Sequence, residues 1–345
     1  MTQCIIPPHM VESMKRRGSA EQREQAARLE AQAVAYRAER EAAAPPQAFL
    51  GARPATGQPT VTREVYDAGS SWDLPGRLVR SEGDPETQDE SADAAYDGAG
   101  LTYDLFLQEY QRDSLDGRGM TLVSSVHVGQ QLNNAFWDGS QMAYGDGDGE
   151  LFLPFARSLS VVGHELTHGV VQFSGGLEYR DQSGALNESC ADVFGSLVVQ
   201  RHLGQSAAEA DWLIGAEILG PAVTGEALRS MKAPGTAYDD DVLGVDPQPF
   251  HMDDYVITTA DHGGVHINSG IPNHAFYLLA MLLGGNAWES AGAIWYDTLQ
   301  AVRNPLVTFA DWAAATVDQA TTRFGTGSRE ALLTRRSWKL VGVDI

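Results

Sequence analysis

The chain has 345 residues, 24 Lys/Arg against 46 Asp/Glu for a net charge of −22, and 43% hydrophobic residues. That length supports one large domain or two packed lobes, and the composition is that of a globular protein. So acidic a surface repels phosphate backbones and anionic membranes, which excludes nucleic acid and membrane as expected partners. No apolar run reaches the roughly 18 residues of a spanning helix, and two cysteines, Cys4 and Cys190, cannot build a disulfide framework or a Cys-rich zinc finger.

The charge is uneven along the chain. Residues 1–60 hold eight Lys/Arg and six Asp/Glu, so the negative charge belongs to residues 61–345. The stretch Cys4-Ile5-Ile6-Pro7-Pro8 is apolar and stiffened by two prolines. It precedes the basic residues Lys15, Arg16 and Arg17, the reverse of a secretory signal. The default expectation is therefore a cytoplasmic protein with reduced thiols, export by a non-classical route being the alternative. Residues 19–44, rich in Ala, Glu, Gln and Arg, predict a solvated helix. Residues 45–60 hold four prolines and read as an exposed linker open to proteolytic nicking.

From Val61 to about Glu150, β-prone pieces at Val65-Tyr66, Leu78-Val79 and 121–126 alternate with turns around one helix near 88–113. From Ser158 onward helices are predicted at 158–173, 184–203, 207–217, 267–284, 288–303, 308–323 and 328–336. Strands first and helices second predict an α+β protein of two lobes.

The chemistry concentrates in Gly163-His164-Glu165-Leu166-Thr167-His168. Positions i and i+4 share a helix face, so His164 and His168 can aim two imidazoles at one metal ion, with the Glu165 carboxylate beside them. A catalytic zinc takes three protein ligands and keeps one position open. Glu188, on the next predicted helix, supplies a third, and Asp192, four residues on, can accept the free ring N–H of a liganding histidine.

With 19 residues between His168 and Glu188, this pattern resembles the thermolysin family of zinc endopeptidases. Further stretches are similar over about residues 63–345: Asn133–Trp137 resembles the family's edge strand, Tyr144–Gly149 the turn after it, Leu228–Met231 its arginine segment, and Asp261–Gly270 its second histidine segment. The resemblance implies a two-lobed fold, β-rich over 61–174 including the HExxH helix and helical over 175–345, with the cleft between. It implies zinc on His164, His168 and Glu188, Glu165 as the base acting on water, and His266 (oriented by Asp261) and Tyr179 as stabilisers of the oxyanion. Arg229 would hold a substrate carbonyl, and Asn134 with the Ala135 backbone would fix the peptide as an added strand. Phe152, Val161, Ile214 and Leu228 fall at the places of an apolar pocket, so a bulky hydrophobic residue is expected on the leaving-group side. Proteins and peptides are the expected substrates.

The short N-terminal segment is similar to that of the protealysin subgroup. This implies a propeptide over 1–60 that inhibits until it is cut autocatalytically, here within 45–62, with Cys4, Ile5, Ile6, Pro7 and Pro8 at the cleft. Cys4 also suggests a thiolate lock on the metal, and a dedicated protein inhibitor is a further candidate partner. The pattern departs from the family at its double calcium site, where Ser160 and Val199 stand in place of acids. A hard dication needs six to eight oxygens, so that site is expected to be lost, although calcium elsewhere stays open. Asp146-Gly147-Asp148-Gly149 reads as a tight turn, and Cys190 as a packed thiol. The competing readings are a pseudo-protease acting as a binder, which the presence of Glu165 disfavours, and an aminopeptidase.

Overall fold

The computed structural model describes residues 3–42 and 59–345. The N-terminal arm begins with a short strand, β1 (Gln3–Cys4), and two helices, α1 (Pro8–Arg17) and α2 (Ala20–Ala42). Pro7 is extended and Pro8 takes the first helical position, where a missing N–H costs nothing. Lys15, Arg16 and Arg17 close α1 at its negative end. Met10, Val11 and Met14 of α1 are buried, as are Ala26 and Leu29 of α2.

Five strands of the body follow: β2 (Arg63–Asp67), β3 (Arg77–Ser81), β4 (Leu122–Val126), β5 (Ala135–Trp137) and β6 (Met142–Tyr144), with α3 (Glu90–Tyr110) between β3 and β4. They form one sheet in the order β1-β5-β6-β4-β2-β3, parallel between β2, β4 and β6 and antiparallel elsewhere. The arm therefore supplies an outer strand: β1 runs antiparallel to β5, with Gln3 opposite Trp137 and Cys4 opposite Phe136. Asp89 caps α3 by accepting from Ser91 and Ala92 N–H.

Two buried helices, α4 (Leu159–Ser174) and α5 (Asp181–Leu203), lie against one another at the centre of the molecule. Glycine permits the approach. A Cβ on Gly195 would stand 2.6 Å from the Ser160 carbonyl oxygen, and one on Gly163 would stand 3.0 Å from the Gly195 Cα. Every residue of α5 from Ser183 to Val198 is buried, so the helix is buried on every face rather than amphipathic.

The rest is a pair of two-stranded ribbons, β7 (Leu213–Ile214) with β8 (Arg229–Ser230) and β9 (Asp239–Asp240) with β10 (Gly244–Val245), followed by α6 (Asp261–Asn268), α7 (Gly270–Leu283), α8 (Ser290–Ala301), α9 (Phe309–Phe324) and α10 (Arg329–Leu340). One sequence expectation fails here. The helix expected at 207–217 is loop, β7 and a single 3-10 turn at Ala216–Ile218, because Trp212 and Gly215 take left-handed φ values of 62° and 71° and Asp211 turns the chain by accepting from Leu213 N–H. The helix expected at 267–284 is present as α7, which starts at Gly270, with α6 running into it through Ser269. Within α6, His262, Gly263 and Gly264 are left-handed, which breaks the helical run.

Candidate active site

His164 and His168 project from α4 toward Glu188 and Asp192 of α5, all four fully buried. His164 Nδ1 lies 2.7 Å from Asp192 Oδ1. His168 Nδ1 lies 2.9 Å from Asn187 Oδ1, whose own amide donates to the Leu177 carbonyl. Both acceptors fix the proton on Nδ1, so both Nε2 atoms present lone pairs. The Nε2 atoms stand 3.1 Å apart. Glu188 oxygens lie 3.5 Å from His164 Nε2 and 3.6 Å from His168 Nε2, and Glu188 Oε2 has no hydrogen-bond partner.

Three buried acceptors thus converge with no proton between them, and their ligand atoms lie within 4.8 Å of one another. That is a donor set of two nitrogens and one oxygen suited to a tetrahedral dication with one position left open. Burial lowers the His164 pKa to about 4 and that of His168 to about 3, which keeps both neutral as ligation requires. Asp192 stays ionised despite its burial, because Arg229 grips it with two N–H···O contacts of 2.8 Å and His164 donates to it. Asn273 donates to the same carboxylate at 2.9 Å.

Glu165 follows His164 on α4. Its Oε2 accepts from Trp137 N–H at 2.9 Å, while Oε1 is buried without a partner. Burial and then the Glu188 charge push its pKa well above the ordinary carboxylate value. His266, on α6, has Nδ1 2.7 Å from Asp261 Oδ1 and its backbone N–H on Asp261 Oδ2. Burial would lower its pKa, but the Asp261 and Glu188 charges outweigh this and raise it to about 9. The Tyr179 hydroxyl donates to Glu188 and lies 3.2 Å from His266 Nε2.

The arm fills the cleft among these groups. Cys4 O lies 3.1 Å from His266 Nε2, and Ile5 N–H donates to Ala135 O at 3.1 Å. Arg229 Nη1 donates to Ile5 O at 3.2 Å, and Ile6 N–H donates to Asn134 Oδ1 at 3.2 Å. Ile5 is fully buried in the apolar core that contains Phe152, Val161, Ile214 and Leu228. Of these, Leu228 N–H bonds Ile214 O, and Phe152 stands against Phe155 with ring centres 5.8 Å apart. Pro7 is buried; Pro8 is exposed and opens α1, and it lines one cavity with Cys4, Ile6, Asn134, Tyr179 and His266. The arm's cations Lys15 and Arg28 pair with the arm glutamates Glu30 and Glu24.

Sequence reasoning missed Asn187, Asn273 and the Trp137 amide. Asn187 had a signal: two liganding histidines need two acceptors, and only Asp192 was supplied. It also missed His262, whose ring lies edge-on to Tyr179 at 5.7 Å. Around Ser160, its Oγ meets Ser158 Oγ and accepts from Gly215 N–H, and Ser158 donates to Glu217. Asp146 is held by His127, and Asp148 Oδ1 gathers the N–H groups of Glu150, Leu151 and Phe152, as a tight turn requires. The Cys190 thiol is buried, which pushes its pKa up.

Comparison with known proteins decides the family. The family model for the thermolysin metallopeptidase catalytic domain matches residues 56–172, and that for its alpha-helical domain matches residues 175–343. The chain belongs to the thermolysin metallopeptidase family. It is 48% identical to an extracellular metalloprotease of Pectobacterium carotovorum subsp. carotovorum over 99% of this chain and 96% of that protein. It is 50% identical over 200 residues to the extracellular minor metalloprotease of Serratia marcescens, covering 57% of this chain and 56% of that protein. The precursor of protealysin, a metalloproteinase from Serratia proteamaculans, superposes with a TM-score of 0.88 at 48% identity, covering 99% of both chains.

The thermolysin-like α+β fold and the protealysin-like type are thereby borne out, and the protein is a metalloendopeptidase. The expectation of a cytoplasmic protein is overturned: relatives of this similarity are named extracellular, which points to secretion.

Proposed function

We propose that the chain is a self-processing zymogen of a zinc endopeptidase, with residues 1–60 as the inhibitory propeptide and the body divided into lobes at 61–174 and 175–345. The observation that carries this reading is the arm in the cleft. Its backbone at Cys4, Ile5 and Ile6 is bonded to His266, Ala135, Arg229 and Asn134 in the manner of an added substrate strand. The proposed cut lies within 45–62, most of which is outside the described residues.

His164, His168 and Glu188 would hold the ion, which supplies a Lewis acid and an activated water when bound. Asp192 and Asn187 keep the two imidazoles in one tautomer and one orientation. Glu165 takes a proton at its unpartnered Oε1 and delivers it to the leaving nitrogen. His266, held charged by Asp261, donates to the carbonyl oxygen as negative charge develops, and Tyr179 stands ready as the second donor. Arg229 aligns the carbonyl after the cleaved bond, and Asn134 with Ala135 O aligns the flanking N–H groups. The fully buried Ile5 supports a preference for a bulky apolar residue on the leaving-group side, met by Phe152, Val161, Ile214 and Leu228.

Intact-mass spectrometry over time, wild type beside Glu165→Ala, tests self-processing. Wild type is expected to lose a fragment of the arm's length while the variant stays whole; clipping of both alike would overturn autocatalysis. A peptide pair differing only in Leu or Asp after the cleaved bond tests the pocket, and equal rates would overturn it.

A further inference from the structure

The arm does more than cover the cleft: it presents a particular peptide bond. Ile5 N–H is held by Ala135 O, and Ile5 O by Arg229. The carbonyl on the other side of that amide, Cys4 O, lies 3.1 Å from His266 Nε2. Strand β1 continues the same antiparallel alignment on β5, and the next N–H, that of Ile6, is held by Asn134 Oδ1. The bond flanked by an oxyanion donor on its acyl side and by strand and arginine contacts on its amine side is the bond between Cys4 and Ile5. A plug that merely filled space would need no such register, because a shift of one residue reverses which carbonyl faces His266 and which faces Arg229.

We propose that the Cys4–Ile5 peptide bond is a processing site, cut intramolecularly by the chain's own active site. This rests on the endopeptidase reading above. In the step, water adds to the Cys4 carbonyl carbon and the C–N bond breaks. The water oxygen stays in the new Cys4 carboxylate, and the proton taken by Glu165 passes to the Ile5 nitrogen, which leaves as an amine. Nothing is oxidised or reduced.

The cut does not free the rest of the arm. Residues before Ile5 are held through β1, which pairs at only two positions, Gln3 and Cys4. The remainder keeps Ile5, Met10, Val11, Met14, Ala26 and Leu29 buried, together with the Arg229 and Asn134 contacts. The short acyl fragment therefore departs while the arm stays docked as a bound product. Cys4 O is withdrawn from His266, which opens the acyl half of the cleft. The linker cut then acts on an arm that is already weakened.

The test uses the full chain, purified with a chelator and then given zinc in ¹⁸O-labelled water. The expected product starts at Ile5, and the released fragment carries one ¹⁸O in its Cys4 carboxylate. The rate is expected to be unchanged by a hundredfold dilution, and Glu165→Ala to give no product. If the N-terminus stays intact while the same preparation hydrolyses an added peptide with Leu after its cleaved bond, the processing site is refuted and the endopeptidase reading stands. That is also the outcome of a Cys4 thiolate sealing the metal. If neither cleavage occurs, both fall. A readout independent of turnover uses the zinc-free chain: Ile5→Asp is expected to speed tryptic cleavage at Arg16 and Arg17 at least tenfold with the body's melting temperature unchanged. Equal rates would refute the register.

Discussion

Arg229 shows how much one side chain can carry. Its guanidinium holds Asp192 through two contacts of 2.8 Å and reserves a third N–H for the carbonyl of the peptide in the cleft. Asp192 in turn orients His164. A lysine keeps the charge but loses the planar fork. Arg229→Lys is expected to lower kcat/KM about a hundredfold, which corresponds to about 2.7 kcal/mol; steady-state kinetics within twofold of wild type would contradict this. His9 acts on the arm instead. Its Nε2 lies 2.8 Å from the Tyr238 hydroxyl, and burial, with the His266 charge second, lowers its pKa to about 4. Asp261 opposes this shift, and Arg229 adds to it. The free arm has the ordinary value of 6.5, so docking is at full strength above pH 6.5 and weakens as pH falls toward 4, by up to about 3 kcal/mol. Tryptic susceptibility of the arm against pH should show this dependence in the wild type, and His9→Gln should flatten it.

Among the elements, the crossing of α4 and α5 builds the metal centre. The HExxH spacing and the Glu188–Asp192 spacing each ensure one shared helix face, but neither brings the two faces together. Gly163 and Gly195 do that by letting the backbones approach. Gly195→Ala is expected to destabilise the body by about 3 kcal/mol and to weaken zinc binding at least tenfold, measured by melting and by competition with a chromophoric chelator. A variant with normal affinity would show that the helices adapt elsewhere. Most helix positions were legible in the sequence because their apolar periodicity was long. The 207–217 error has a local cause: Trp212 and Gly215 adopt left-handed backbone conformations, which apolar content does not reveal. The left-handed His262-Gly263-Gly264 turn is equally invisible to periodicity, and it places His266 and Asp261 side by side.

For the whole molecule, the sheet is closed at one edge by the chain's own start. Removal of the arm, as proposed, would expose β5 as an edge to which a substrate strand adds. The hydroxyl network at Ser158, Ser160 and Glu217 supplies hydrogen bonds where the family resemblance implied calcium ligands. Among the described residues the one convergent group of three ligating side chains is His164, His168 and Glu188. A chelator selective for calcium is accordingly expected to leave the melting temperature within about 1 °C, whereas a zinc chelator abolishes activity. A large drop with the calcium chelator would reveal a site elsewhere.

By itself the sequence determined the chemistry: the i, i+4 histidines, the glutamate between them, and the carboxylates of the following helix are spacings that the α-helix turns into a shared face. It also determined the family, because so many ordered motifs leave little freedom. Only the tertiary structure decided which bond lies in the cleft. Residues 4–6 and residues 134–135, 229 and 266 are far apart in the chain, and their register depends on strand pairing and on two helices meeting at glycines. No local propensity encodes those long-range contacts. The two ligating histidines called for a second acceptor, and the tertiary structure decided that it is Asn187, toward which His168 turns its Nδ1.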